Sequence, residues 1–246
     1  MLEAGIKNIY VVTGYKADRF EYLVEKYGVK LLHNSDYLTR NNNASIWVAK
    51  KIIKNSYICS ADNYFETNPF EIVVDDSYYA ALYSVNFTDE WCMQEDEHGY
   101  ISSVSIGGSK SWYMLGHTFW TESFSKMFIE TLEQEYDLPE TSDKLWEKIF
   151  IAHLDKLKMK IRKYDNGSIF EFDTLDELRV FDGSYVNDTR SNILKEISHE
   201  LSCSEADITR IQTIKGNTTE AVGFTFNCLG KKYTYIYETK ILQITN

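Results

Sequence analysis

The chain has 246 residues, 43% of them hydrophobic and 15% aromatic, and a formal net charge of -11. That length suits one large domain or a domain with an appendage, and the apolar share is enough for a real core. The acidic balance, with no basic stripe to neutralise phosphates, excludes nucleic acid as a main partner.

In chain order, residues 1–6 read as the last turn of a helix closing on Gly5. Residues 7–13 form a buried strand, and Gly14 starts a turn. Residues 18–27 carry Phe20, Leu23, Val24 and Tyr27 at helical spacing, with Gly28 as a stop. A short strand follows over 29–33. A helix spans 44–53, led in by the polar Asn41, Asn42 and Asn43. The apolar strand 57–60 ends on Asp62, with Asn63 beside it. Alternation of strand and helix predicts a mostly parallel sheet with right-handed crossovers.

The middle of the chain changes character. Residues 79–85 are a strand, and 90–94 and 100–106 flank a polar hairpin loop. A strand over 113–121 precedes helices over 124–136 and 145–157. Strands over 159–163 and 169–172 and a helix over 175–181 follow. After Asp182 the composition turns polar, which sets a boundary between a domain over 1–185 and an appendage over 186–246. The appendage carries an amphipathic helix over 191–201 and three strands over 208–214, 221–228 and 232–237. No apolar run is long enough for a transmembrane helix, so no membrane insertion is expected. Cys59, Cys92, Cys203 and Cys228 are scattered without a C-x-x-C pair, which excludes a cysteine zinc site and a disulfide scaffold and fits the cytoplasm.

Three groups of residues bear on chemistry. Asp62 and Asp173 each follow a strand and precede a turn. In open α/β sheets, ligands bind at the carboxyl ends of strands, where a carboxylate can hold a divalent cation against a phosphate. From residue type and position alone, the more common reading of Asp173 is the N-cap of the helix after it. Trp91, Trp112, Tyr113, Trp120 and Trp146 fall in the middle region, with Glu90 before Trp91 and Glu147 after Trp146. Aromatic faces beside a carboxylate suit a quaternary ammonium group, while core packing is the more common use of such rings. Asn41, Asn42 and Ser45 present amides and a hydroxyl at a helix start, for a nucleotide or for capping.

Taken together, the segments Asn8 to Tyr15, Asn41 to Ile46, Ser60 to Asn63, Asp89 to Trp91, Ile106 to Gly108, Trp112 to Gly116, Leu145 to Glu147 and Glu171 to Asp182 resemble the bacterial CTP:phosphocholine cytidylyltransferases. The likeness covers about residues 1–185. It implies an α/β, Rossmann-like nucleotidyltransferase fold with a mixed sheet and a small α+β appendage at the C-terminal end. It also implies a reaction joining CTP and phosphocholine into CDP-choline and pyrophosphate. By the same likeness Asp62 and Asp173 hold Mg2+, and Asn41, Asn42 and Ser45 lie near the nucleotide. Glu90, Trp120 and Glu147 build the choline wall, with Trp91, Tyr113 and Trp146 beside them.

The family's N-terminal strand and Gly-rich loop with its arginine and lysine have no counterpart here. The resemblance therefore implies weakened catalysis and a sheet edge covered by a second chain, as a homodimer, or by a complementary segment. Ile211 to Thr219 and Phe224 to Tyr235 resemble the first hairpin of bacterial choline kinase-like proteins, without their catalytic loop. Two other functions fit the same residues: a non-catalytic binder of choline compounds, and a sugar-nucleotide pyrophosphorylase.

Overall fold

The computed structural model describes residues 1–216 and 220–245, which fall into two compact units, Met1–Glu171 and Phe172–Asn246. The polar run after Asp182, where composition suggests a boundary, lies within the second unit and is turn chemistry. Asp182 accepts the Ser184 N–H and caps the 3-10 turn Gly183–Tyr185.

The first unit opens with a 3-10 turn, Leu2–Ala4, that closes on Gly5. Strand β1 (Tyr10–Thr13) pairs in parallel with β2 (Lys30–His33). Between them helix α1 (Tyr22–Tyr27) stops at Gly28, whose φ of 68° lets its N–H return to the Val24 carbonyl. Helix α2 (Asn43–Ala49) is shorter than its sequence pattern suggests. Then come β3 (Ser56–Ile58), β4 (Asn63–Phe65), β5 (Tyr78–Ser84), β6 (Thr88–Glu95), β7 (Ile101–Gly108) and β8 (Ser111–Trp120). Helices α3 (Glu122–Glu135) and α4 (Trp146–Ala152) lead to β9 (Lys160–Lys163) and β10 (Ile169–Glu171).

The main sheet has the order β7-β6-β8-β5-β9, with β3 also on β8. Among the strands of the described residues, β1–β2 and β5–β9 pair in parallel and the other ladders are antiparallel, so the main sheet is mixed rather than mostly parallel. The connections explain this. Only Ser109 and Lys110 link β7 to β8, and a parallel neighbour needs a crossover of a dozen residues or more.

Strand β8 organises this unit. Along one edge it pairs with β5 from Ser111 to Phe119. Its other edge is divided: β6 pairs at Trp112 and Tyr113, and β3 pairs from Thr118 to Trp120. Residues 114–117 of β8 carry no ladder partner on that edge. Gly116 sits there with φ +105°, a conformation an L side chain rarely adopts. A Cβ at this position would meet Ile169 Cδ1 at 3.0 Å, so the missing side chain is what admits β10. Strand β10 pairs antiparallel with β4, in the register Ile169↔Phe65, Phe170↔Tyr64, Glu171↔Asn63.

The core lies between the sheet and α3 and α4. Phe124, Phe128 and Leu132 recur at one helical face of α3 and are all buried. Thr121 caps that helix by accepting the Phe124 N–H. Trp120 is fully buried and meets Phe128 at 4.6 Å and Trp146 at 5.1 Å between ring centroids.

The second unit contains α5 (Leu175–Phe181), α6 (Asn192–Leu201) and a four-stranded antiparallel sheet, β11 (Thr209–Lys215), β12 (Ala221–Cys228), β13 (Lys231–Ile236) and β14 (Ile241–Ile244). Strand β14 was not legible in the sequence. Leu194 and Ile197 of α6 share a core with Phe224, Phe226 and Tyr235. Cys203 and Cys228 are free thiols whose sulfurs stand 3.4 Å apart, a proximity their scattered sequence positions conceal. Asn217, Thr218 and Thr219, part of the hairpin that resembles choline kinase-like proteins, lie outside the described residues.

His117, on β8, is fully buried among Tyr57, Phe65, Phe70, Tyr78 and Tyr164, with ring centroids 5.3–5.7 Å away. Its Nε2 meets the Tyr78 hydroxyl at 2.9 Å. Burial, and secondarily the Arg162 charge, lower its pKa to about 4. Unfolded histidine titrates near pH 6.5, so between about pH 6.5 and 4 the unfolded chain takes up a proton that the folded one refuses. Stability contributed by neutral His117 is therefore complete above that window and lost as pH falls through it, by about 3 kcal/mol. Urea unfolding at pH 7 and pH 4 checks this, and the acid loss should be smaller by that amount in His117→Phe.

Candidate functional site

Asp62 is exposed and stands between the end of β3 and the start of β4. Asn63 follows it and is the register partner of Glu171. Asn63 Nδ2 donates to Glu171 Oε1 at 3.3 Å and to Asp62 Oδ1 at 3.5 Å. Two carboxylates thus share one amide. Asn63 Oδ1 is buried and has no partner among the described residues.

The carboxylate field reaches the rings of the neighbouring strands. Tyr113 is half-buried; burial first, then the charges of Glu90 and Glu171, push its phenol pKa up. Tyr79 is buried, and its phenol is pushed well above the ordinary value by burial, then by the charges of Glu147, Glu171 and, more weakly, Asp62. Glu171 therefore acts on both tyrosines, Asp62 and Glu147 on Tyr79 of β5, and Glu90 on Tyr113 of β8.

Glu147 is held from two sides. Asn42 Nδ2 donates to its Oε2 at 3.2 Å, and the Tyr79 hydroxyl donates to its Oε1 at 3.4 Å. Burial pushes its pKa up, and its own backbone N–H, Asn42 and Tyr79 oppose that shift. Trp146 beside it is a core ring, stacked on Tyr79 at 5.9 Å. Trp120 is likewise closed off in the core, and its indole Nε1 has no partner among the described residues. These burials run against the expectation that Trp120 and Trp146 present faces to a ligand. Trp91 and Trp112 are half-buried at the edge of the same core, and Glu90 is exposed at the start of β6.

The asparagine run ties two segments together. Asn42 stands at the N-cap of α2 yet makes no cap bond there. Its Oδ1 instead accepts the Trp146 N–H at 2.7 Å, so it caps α4. Asn43 donates to the carbonyls of Thr141 and Lys144, and the Asn41 N–H donates to Ser142 O. Ser45 is half-buried within α2.

Asp173 belongs to the second unit. Its N–H donates to Glu177 Oε2 at 2.8 Å, just before the capping box of α5. The cap is Thr174, which accepts the Glu177 N–H, so the side chain of Asp173 is not consumed as the N-cap. Among the described residues no group of three or more His, Cys, Asp or Glu side chains stands ready to hold a metal. Magnesium does not require one, since it often uses one or two carboxylates together with substrate phosphates. Asp62 is exposed, and its two carboxylate oxygens are hard oxygens of the kind that ion takes, so the residue fits it on that ground.

A cavity of about 510 Å3 lies elsewhere in the first unit, lined by Asp75, Asp76, Glu122, Lys156 and Lys158 among others, and no expected site residue borders it. Its mixed charges show no convergent polar set.

Tyr79, Asn63 and Glu171 were not singled out in the sequence. Tyr79 looked like one more strand aromatic. Asn63 and Glu171 meet only through the β4–β10 register, although Glu171 stands two residues before Asp173 in a segment already of interest.

The choline-phosphate cytidylyltransferase of Streptococcus pneumoniae is 28% identical to this chain over 177 residues, covering 72% of this chain and 77% of that protein. The solved structure of CTP:phosphocholine cytidylyltransferase from Streptococcus pneumoniae superposes with a TM-score of 0.70 at 27% identity, over 74% of this chain and 80% of that one. The chain is a homologue of the choline-phosphate cytidylyltransferases. It has their nucleotidyltransferase fold, with the strands β11–β14 as an additional sheet. A 2-aminoethylphosphonate cytidylyltransferase of Lancefieldella rimae is 28% identical over 200 residues, covering 78% of this chain and 79% of that protein. No family model matches the chain.

Replacing Asn42 by Ala would strip partners from both the Trp146 N–H and the Glu147 carboxylate. Leaving such buried groups unsatisfied costs about 1–3 kcal/mol, so Asn42→Ala should unfold at lower urea than wild type by that amount. Ser45→Ala, with no such bond to lose, serves as the control and should stay within about 0.5 kcal/mol.

Proposed function

We propose that the protein is a cytidylyltransferase that joins CTP and phosphocholine. A phosphate oxygen of phosphocholine attacks the α-phosphorus of CTP in line, the bond from that phosphorus to the β-phosphate bridging oxygen breaks, and pyrophosphate leaves. The observation that carries this reading is Asp62 at a strand end beside the Asn63–Glu171 pair, in a chain homologous to cytidylyltransferases.

Bound Mg2+ would neutralise charge on the phosphates and fix the in-line geometry. Asp62 would hold that ion, and Asp173 is the second carboxylate the family resemblance assigns to it. Glu90, Trp91 and Tyr113 are proposed to receive the trimethylammonium head through ring faces and opposite charge. Glu147, fixed by Asn42 and Tyr79, adds its charge to the same wall. Asn41 and Ser45 keep surface for the cytidine, whereas the Asn42 side chain is committed to α4. Residues 186–246, which resemble the first hairpin of choline kinase-like proteins, are read as a non-catalytic appendage, and the protein as cytoplasmic.

The test is a pyrophosphate-release assay with CTP, Mg2+ and phosphocholine. Wild type turns over, EDTA abolishes release, and Asp62→Ala lowers kcat by at least about 100-fold, the scale of losing preorganised charge stabilisation. A weak triphosphate cradle would raise the KM for CTP and leave the Asp62 dependence intact. Replacing phosphocholine by 2-aminoethylphosphonate measures preference between quaternary and primary amines. Metal-dependent binding of both substrates with no pyrophosphate released would favour a non-catalytic binder instead.

A further inference from the structure

Cys203 and Cys228 both pack in the core of the second unit, and each is held by a turn. Cys203 follows the end of α6, where Ser202 has φ +52° and the Cys203 N–H returns to the Ser198 carbonyl at 3.0 Å. Cys228 ends β12 opposite Lys231 of β13, across the turn Leu229–Gly230, whose φ values are +47° and +78°. Both backbones are therefore fixed before any bond joins them. The Cys228 thiol donates to Cys203 Sγ at 3.4 Å. A disulfide needs about 2 Å, a closure of roughly 1.4 Å that side-chain torsion can supply. The two thiols differ in access: Cys203 is half-buried, whereas Cys228 is closed off beside Phe226 and Ile208.

We propose that Cys203 and Cys228 form a reversible modification site for small-molecule disulfides of the glutathione type, whose product is a Cys203–Cys228 bond joining the end of α6 to β12. The accessible Cys203 thiolate attacks one sulfur of the reagent RSSR. A Cys203–SR bond forms, the S–S bond of the reagent breaks, and RS− leaves and takes up the proton lost by Cys203. The Cys228 thiolate then attacks Cys203 Sγ, expels the second RS− and passes its own proton to it. Two cysteines are oxidised, and one reagent is reduced to two RSH. Burial, then the bond to Cys203, pushes the Cys228 thiol up to about 12, so it is seldom ionised and the second step is the slower one. Its place beside Cys203 offsets this by making that step intramolecular. In a reducing compartment the pair rests as the free thiols, and the bond marks oxidising conditions. The proposal is independent of the Asp62 reading.

The experiment incubates the reduced full chain with oxidised glutathione, blocks the remaining thiols with iodoacetamide at timed intervals, and maps the peptides by mass spectrometry. Wild type should first carry glutathione on Cys203 and then lose it to a Cys203–Cys228 crosslink, which dithiothreitol reverses. Cys228→Ala should stop at the Cys203 adduct, and Cys203→Ser should leave Cys228 unmodified. Because the fold brings the sulfurs together, the bond in turn favours the fold, so the oxidised chain should melt several degrees above the reduced one. The urea-unfolded chain should need a higher ratio of oxidised to reduced glutathione to close the same bond. A lasting adduct on Cys203 without the crosslink, no reaction at either cysteine, or crosslinks to Cys59 or Cys92 in equal yield overturns the proposal. So does an oxidised chain that melts below the reduced one. Glutathione on Cys228 in Cys203→Ser overturns the assignment of Cys203 as the point of entry. Should Cys228→Ala fail to fold, the wild-type time course and Cys203→Ser carry the test.

Discussion

Strand β8 bonds β5 along one edge and shares the other between β6 and β3, and the candidate site follows from that division. Two strands arriving on one edge leave residues 114–117 without a ladder partner there. Gly116 removes the side chain that would fill the space, and Ile169 of β10 takes it. With β10 fixed, its register with β4 brings Glu171 to Asn63 and Asp62. A glycine conformation thus sets the environment of a carboxylate more than fifty residues away in sequence.

The electrostatics are consistent with a site for a phosphorylated amine. The charges of Glu147, Glu171 and Asp62 act on Tyr79, and those of Glu90 and Glu171 on Tyr113. An acidic wall repels a bare triphosphate and attracts a cationic head or a metal ion. The two ends of phosphocholine ask for those two things, a cation-binding wall at one and a metal-compatible carboxylate at the other. Half-buried Glu147 is the most constrained member, tied by Asn42 to the start of α2 and by Tyr79 to the sheet.

Local signals gave a good account of the elements. Gly5 and Gly28 close their turns in the left-handed region, the Phe124, Phe128, Leu132 spacing forms a packed helix face, and the hairpin loop before Gly99 is present. Pairing was less legible. Alternating strands and helices look parallel until one asks whether each connection is long enough to cross over, and β7 to β8 is not. The candidate site divides the same way. Asp62, Glu90 and Glu147 are candidates by residue type and position alone, while Trp120 and Trp146 lie in the core because burial depends on which helices cover the sheet. Asn42 caps a helix a hundred residues downstream, and Glu171 acquires meaning only through a strand register. None of these has a signature in neighbouring residues.

The central claim is that the first unit binds its substrates around the divided edge of β8. Amide chemical-shift mapping with CTP, Mg2+ and phosphocholine tests it most directly. The account predicts perturbations at Asp62, Asn63, Glu90, Tyr113 and Glu171. Perturbations confined to Asp75, Asp76, Lys156 and Lys158, around the cavity at the start of α3, would contradict it.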